Sequence, residues 1–387
     1  MKLHRRLARC SRADVLWSLA LFAVAQVGLA VAIEYWLPGL RDPRFASRAE
    51  QLVRRTATAG TRPLSIVMLG SSHVQDGFNS TELEAKLSEE FHRPLVVFNF
   101  GVPAAGPVAS VLHFERLIAA GAKPDLALVE VTPTMLNGVA GRPVESGYFC
   151  ADRLWYGEID LVGRYGMPVD ELRHDWLQNW PIPCHSHRSA IASRLMPHML
   201  PFWLRLDGDR EVDRSGWKPR NVKVLTAEDR RRSTEYAQRD FGEPLQRFEL
   251  CEGACRAQHD LLRRCREEQV AAVLVWMPEG KTFQGYYPAA AEQQIRHHLD
   301  ELCAEFDVPL IDARDWVDDE GFVDGHHLRL VGAIEFSRRL GNEVLEPILN
   351  TPRPDWDGYL ASLLRRGEQR TSVANRVIPS PDASLRR

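Results

Sequence analysis

The sequence predicts an α/β fold, a three-layer α/β/α sandwich around a parallel sheet, with an N-terminal transmembrane helix and an irregular insertion. Three observations lead there. Apolar runs at 65–69, 95–99 and 125–131, bounded by Pro or Gly, read as strands buried on both faces. Capped helical segments separate them, and strand, helix, strand, helix, strand in one stretch requires right-handed crossovers and a parallel sheet. Before all of this, Gln26 is the only strongly polar residue in 15–33, a run that at helical rise reaches roughly 28 Å, about the thickness of a bilayer's hydrocarbon.

The elements follow in order. Lys2, Arg5, Arg6, Arg9 and Arg12 precede the apolar run and Glu34-Tyr35-Trp36 follows it, which places the N-terminus in the cytoplasm and the rest outside the cytoplasmic membrane, in the periplasm. A cleaved signal peptide is the alternative, since Ala30-Val31-Ala32 resembles a cleavage site, although the run is longer than a typical signal core. Residues 1–37 are thus head and anchor. Residues 38–62 read as a tether with one short helix over 46–58, and the globular domain begins at Pro63.

The strand at 65–69 stops at Gly70-Ser71-Ser72-His73. Asn79 or Ser80 caps a helix through Phe91, and the strand at 95–99 runs into Phe100-Gly101. A helix follows from Pro107 to Ala120, with Pro in its permitted first turn and Gly121 beyond its end. After the third strand the pattern breaks from 137 to 242. Trp155, Trp176, Trp180, Trp203 and Trp217, of ten tryptophans in the chain, fall in this stretch, which reads as an insertion at the sheet's carboxyl edge covering or shaping the site. Tyr148, Trp155, Tyr156, Trp176 and Trp180 would offer flat apolar faces to sugar rings, or form the insertion's own small core. Alternation resumes with a helix over 244–269, a strand over 270–277, a helix over 289–306, a short strand over 308–311 and a helix over 330–349. The domain spans 63–350, and the Arg-, Ser- and Pro-rich tail from 351 to 387 reads as disordered.

Composition narrows the function. With 387 residues, 44% of them apolar, the chain beyond the anchor suffices for one large domain or one with an insertion. A net charge of −3 gives no footprint for nucleic acid. Seven cysteines fit no tight zinc spacing. In an exported chain Cys150 with Cys184, and Cys251 with Cys255, are candidate pairs, with free buried thiols as the alternative. Cys184-His185-Ser186-His187 puts two histidines on one face only in a strand, and no carboxylate pattern supports it, so neither metal nor cofactor is expected.

The chemistry lies in three separated pieces: Gly70-Ser71-Ser72 after the first strand, Asn99-Phe100-Gly101 after the second, and Asp324-Gly325-His326-His327 before the last helix. Loops at the carboxyl ends of parallel strands open onto the crevice where ligands bind. A serine hydroxyl is a poor nucleophile until a base takes its proton, and an aspartate three residues before a histidine can orient that base. Ser72 as a plain helix cap is the competing reading. His73 lines the site or hydrogen-bonds locally, and His326 is exposed or packs. Glu130 holds the insertion through backbone N–H groups, or is a site carboxylate with a raised pKa.

These three pieces resemble blocks I, II and V of the SGNH, or GDSL-like, hydrolase superfamily. The resemblance runs in order across residues 64–345 and implies an α/β/α sandwich in which Ser72 is the nucleophile, His327 the base and Asp324 its orienter. Ser72 and Gly101 would then be oxyanion-hole donors. Two positions depart from the pattern. The usual Asp before the serine is Ser71, and the Gly-x-Asn-Asp of block III is replaced by Val131-Thr132-Pro133-Thr134-Met135-Leu136-Asn137, leaving Thr134 or Asn137 to stand in for the missing asparagine donor. The anchor, the long insertion and the Met277-Pro278 turn look more like the envelope branches, which include the alginate acetyltransferases and the protein assisting D-alanylation of teichoic acids. The resemblance implies an anchored esterase or O-acyltransferase acting on an acylated envelope glycan or similar ester, with His73 and Glu130 at the substrate and a membrane-bound acyltransferase as partner. An SGNH-fold scaffold or glycan-binding protein that has lost the chemistry is the alternative.

Overall fold

Val-, Ile- and Leu-rich runs without polar alternation build a five-stranded sheet in the computed structural model, which describes residues 12–57, 63–201, 212–220 and 225–352. The basic residues before Arg12, Cys10, Trp203 and the expected disordered tail from 353 lie outside the described residues. The strands are β1 (Leu64–Gly70), β2 (Leu95–Gly101), β3 (Leu126–Val131), β4 (Ala271–Trp276) and β5 (Leu310–Asp312). All pairs are parallel, in the order β2-β1-β3-β4-β5. The register brings Gly70 level with Gly101 and Leu69 level with Val129, so the ends of β1, β2 and β3 share one edge. Strand order reverses around β1, the switch point at which such sheets form a crevice.

Two compact units divide the chain. The larger comprises residues 48–148, 164–167 and 211 onward. Helices cover its sheet on both faces, giving the expected sandwich. On one face Pro107–Ala119 packs against Glu252–Glu267, which meets Ala289–Phe306. On the other, Leu330–Leu340 packs against Ser72–Gly77 and Ser80–Phe91. Ile66, Met68, Val97, Leu128, Val273 and Val275 of the sheet meet Phe78, Phe336 and Leu340 there in one buried cluster. Each such side chain contributes about 1.5–3 kcal/mol through burial.

The smaller unit holds residues up to 47, 149–163 and 168–210. Its long helix, Arg12–Tyr35, is apolar and long enough to cross a membrane. Ile33 of that helix, Leu40 and Ala190 form a small apolar cluster, with Leu29 and Ile191 packed on it. Of the aromatic residues expected in the insertion, Trp176 and Trp180 stack with ring centroids 6.3 Å apart, and Tyr156 meets Trp176 edge-on at 5.0 Å. The expected insertion therefore falls in two parts, because 211–242 belongs with the larger unit.

Three expectations differ in detail. In the segment read as a tether, the helix expected over 46–58 is present as Pro43–Ala57, and Pro38–Arg41 is helical as well; Phe45, Ala49 and Leu52, spaced four and three apart, form a buried face of the longer one. The helix expected over 244–269 breaks: Glu249 N–H donates to Asn137 Oδ1 at 2.9 Å and Cys251 N–H to Leu136 O at 2.8 Å, and this pairing outweighs local helix propensity. Neither Cys150 with Cys184 nor Cys251 with Cys255 forms a disulfide, so the pairings weighed from spacing are not formed.

The start of Pro107–Ala119 is closed by a carboxylate from far along the chain. Glu145, fully buried, accepts from Val108 N–H at 2.7 Å, Gly106 N–H at 3.0 Å and Ala109 N–H at 3.1 Å. Glu145→Ala leaves those donors unpaired and is expected to cost about 2 kcal/mol. Urea unfolding of the variant measures it, and a loss under about 0.5 kcal/mol, the range of neutral surface changes, would refute the assignment.

Candidate active site

At the end of β1 the chain turns into the short helix Ser72–Gly77. Ser71 caps it, its Oγ accepting from His73 N–H at 3.2 Å. Asn99, fully buried at the end of β2, fastens the turn. Its Nδ2 donates to Val74 O at 2.7 Å and Phe78 O at 2.8 Å, and its Oδ1 accepts from Gly101 N–H at 2.9 Å. β2 comes so close to the Ser72 helix that a Cβ at Gly101 would overlap the Gln75 backbone and lie 2.8 Å from Ser71 O. Glycine is required there for lack of space.

The loop before the last helix brings the second half of the site. Gly325 adopts φ +88°, and Val323 N–H donates to His327 O at 2.9 Å, folding 322–328 back on itself. Asp324 Oδ1 accepts from His327 N–H at 2.8 Å and Oδ2 accepts from His327 Nδ1–H at 2.8 Å. His327 Nε2 lies 2.8 Å from Ser72 Oγ. Ser72, His327 and Asp324 thus meet at the carboxyl edge of the sheet in the order hydroxyl, imidazole, carboxylate. Burial opposes ionisation of Asp324, but the bond and charge of His327 outweigh it and hold the carboxyl well below the usual range. Burial depresses His327 more than Asp324 raises it, which keeps the ring neutral and able to accept a proton.

A second histidine–carboxylate pair lies beside the first. Glu130, on β3, accepts from Ser71 N–H, from Ser71 Oγ–H at 3.0 Å and from His73 Nδ1–H at 3.1 Å. Burial disfavours both charges, yet their mutual bond prevails: His73 is raised and Glu130 lowered. The shift of Glu130 is downward, opposite to the raised carboxyl that was one of the two expectations for it. Glu279, just after β4, acts on His73 by charge, and burial pushes it up to about 7. Its Oε1 accepts from Tyr287 Oη–H at 2.8 Å, while Oε2 is buried without a partner.

His326 is 2% exposed, lies 4.4 Å from the Phe241 ring and 4.6 Å from Phe283, and its Nδ1 has no hydrogen-bond partner. Burial, then the neighbouring His327, lowers its pKa far below the ordinary value. One ring nitrogen each of His73, His326 and His327 lie within 4.8 Å of one another, the set that could hold a metal among the described residues. A cation there would compete with Ser72 for His327 and with the proton on His73.

Of the other expected oxyanion positions, Gly101 and Asn137 are engaged elsewhere. Gly101 N–H is bonded to Asn99. Thr134 is half-buried in the turn Pro133–Leu136. Asn137 is buried, its side chain holding the chain at Glu249. Four contributors were missed from sequence: the fastening role of Asn99, and Glu279, Phe241 and Arg220, the last paired with Asp76. Glu279 follows β4 at the same edge and could have been found from that position. Phe241 and Arg220 come from the irregular stretch and carry no local signal.

A family model described as "Protein of unknown function (DUF1574)" matches residues 49–148. No curated protein matches the chain. Among solved structures, a mutant of the esterase AlinE4 is similar at 11% identity and TM-score 0.29, over 74% of this chain and 98% of that one. A structure assigned provisionally as a platelet activating factor from Streptococcus pneumonia is similar at 12% identity and TM-score 0.32, over 82% of this chain and 98% of that one.

Proposed function

We propose that this chain is a membrane-anchored, extracytoplasmic serine esterase or O-acyltransferase of the SGNH type, acting on an acylated envelope glycan. The observation that carries the reading is the hydrogen-bonded series Ser72 Oγ, His327, Asp324. Ser72 Oγ attacks the ester carbonyl carbon while its proton passes to His327 Nε2, and the carbonyl π pair becomes an oxyanion. Collapse expels the alkoxide, which takes that proton from His327 and leaves an acyl-Ser72. Water or an acceptor hydroxyl then gives its proton to His327 and attacks, releasing an acid or a new ester and returning the proton to Ser72.

His73 follows the nucleophile directly, its ring 5.1 Å from that of His327. With its protonated form favoured by Glu130, it supplies the donor that block III lacks. His73→Gln is expected to lower kcat on the order of 10²–10³, the effect of losing one oxyanion donor, with KM little changed. A variant within threefold of wild type in kcat would remove His73 from this role.

With few backbone donors free, the enzyme should be slow on small activated esters and draw on binding energy from a larger substrate. The test treats the full-length protein in detergent with a fluorophosphonate, then compares turnover of p-nitrophenyl acetate with and without glycan acceptors. Ser72-dependent labelling and acceptor-dependent acyl transfer support the reading. Engagement of Gly101 and Asn137 elsewhere favours the alternative of a scaffold, and a folded protein that never labels, with Ser72→Ala harmless in cells, would establish that alternative.

A further inference from the structure

We propose that residues 180–201 of the smaller unit form a collar that lies in the lipid headgroup region of the outer leaflet, against anionic lipid. The inference rests on the reading that Arg12–Tyr35 crosses the bilayer. Cys184 N–H donates to Gln26 Oε1 at 3.3 Å, and Ala190 and Ile191 pack on Leu29 and Ile33. The collar is therefore joined to the helix from Gln26 to Ile33, beginning well before its end at Tyr35. From Arg12 to Gln26 is roughly 21 Å at helical rise, short of the roughly 30 Å of hydrocarbon a spanning helix must cross. A membrane ending below the collar would be too thin, so the collar enters the leaflet.

Its surface fits that depth. Leu195 is 72% exposed, Met199 68% and Ile182 48%, side chains that a water-facing surface gains nothing by presenting together. Arg188 and Arg194 are exposed among them, and residues 180–201 contain no Asp or Glu. Exposed apolar side chains with cations and no acidic residue are the composition of segments that lie in an anionic lipid interface.

The experiment places p-benzoylphenylalanine singly at Trp17, Glu171, Leu195 and Met199 of the full-length protein, reconstituted in vesicles of phosphatidylethanolamine and phosphatidylglycerol. Irradiation should attach lipid at positions 17, 195 and 199 and not at 171. Exchanging phosphatidylglycerol for phosphatidylcholine should lower the yield at 195 and 199 several-fold and leave position 17 unchanged. Attachment at 17 with none at 195 or 199 would overturn the collar while leaving the anchor intact. No attachment at 17 would overturn the anchor and the collar with it.

Discussion

Replacing His327 by alanine should lower kcat/KM on any ester substrate on the order of 10⁴–10⁶, the scale on which serine hydrolases lose activity with their base. The loss falls on kcat, because the ring contributes to proton transfer and not to ground-state binding. Stopped-flow or long-incubation assays of the full-length variant measure it, with fluorophosphonate labelling of Ser72 slowed in parallel. Retention of a tenth of wild-type activity would remove His327 from the mechanism. The fold should survive, since His327 is bonded only within its own loop and to Ser72.

Replacing Asp324 by asparagine should cost on the order of 10⁴ in kcat while leaving the geometry nearly intact. The carboxylate now accepts from Nδ1–H, which leaves Nε2 free to take the serine proton. An amide nitrogen at the same place would donate to Nδ1 and move the ring proton to Nε2, where it faces Ser72 uselessly. The charge matters as well. Asp324 raises His327 against a depression by burial, so its loss should lower the base further and displace the acid limb of the pH–rate profile downward. A variant with unchanged rate would mean that the bond seen at 2.8 Å holds the loop alone.

The sheet was legible because parallel strands buried on both faces leave an unbroken apolar run between breakers, as at Leu64–Gly70 and Leu126–Val131. The pieces of the candidate site were legible for a related reason. A nucleophile loop after the first strand and an Asp-x-x-His before the last helix keep fixed places relative to a sheet whose order is itself predictable. What could not be read was everything held by distant partners. The break before Cys251 depends on Asn137, and Glu145 reaches back to a helix that begins at Pro107. No local pattern reports either. Glu130 reads from the sequence either as a hold on the insertion or as a site carboxylate with a raised pKa, and neither reading has the neighbour that decides the sign, His73. Phe45, Ala49 and Leu52 show a partial case: the short helix expected over 46–58 is present, but neither its start at Pro43 nor the helix Pro38–Arg41 is signalled locally.

Ser72 and His327, the proposed nucleophile and base, are separated by 255 positions. Contacts this far apart in sequence are the slowest to form, since the loop they close must be ordered before anything rewards it. A chain that emerges N-terminus first shows Ser72 early, yet Ser72 has no proton acceptor until the final helix has docked. On the proposed reading, the ability to cleave or move an acyl group would switch on in one late folding event, after the whole domain has been delivered.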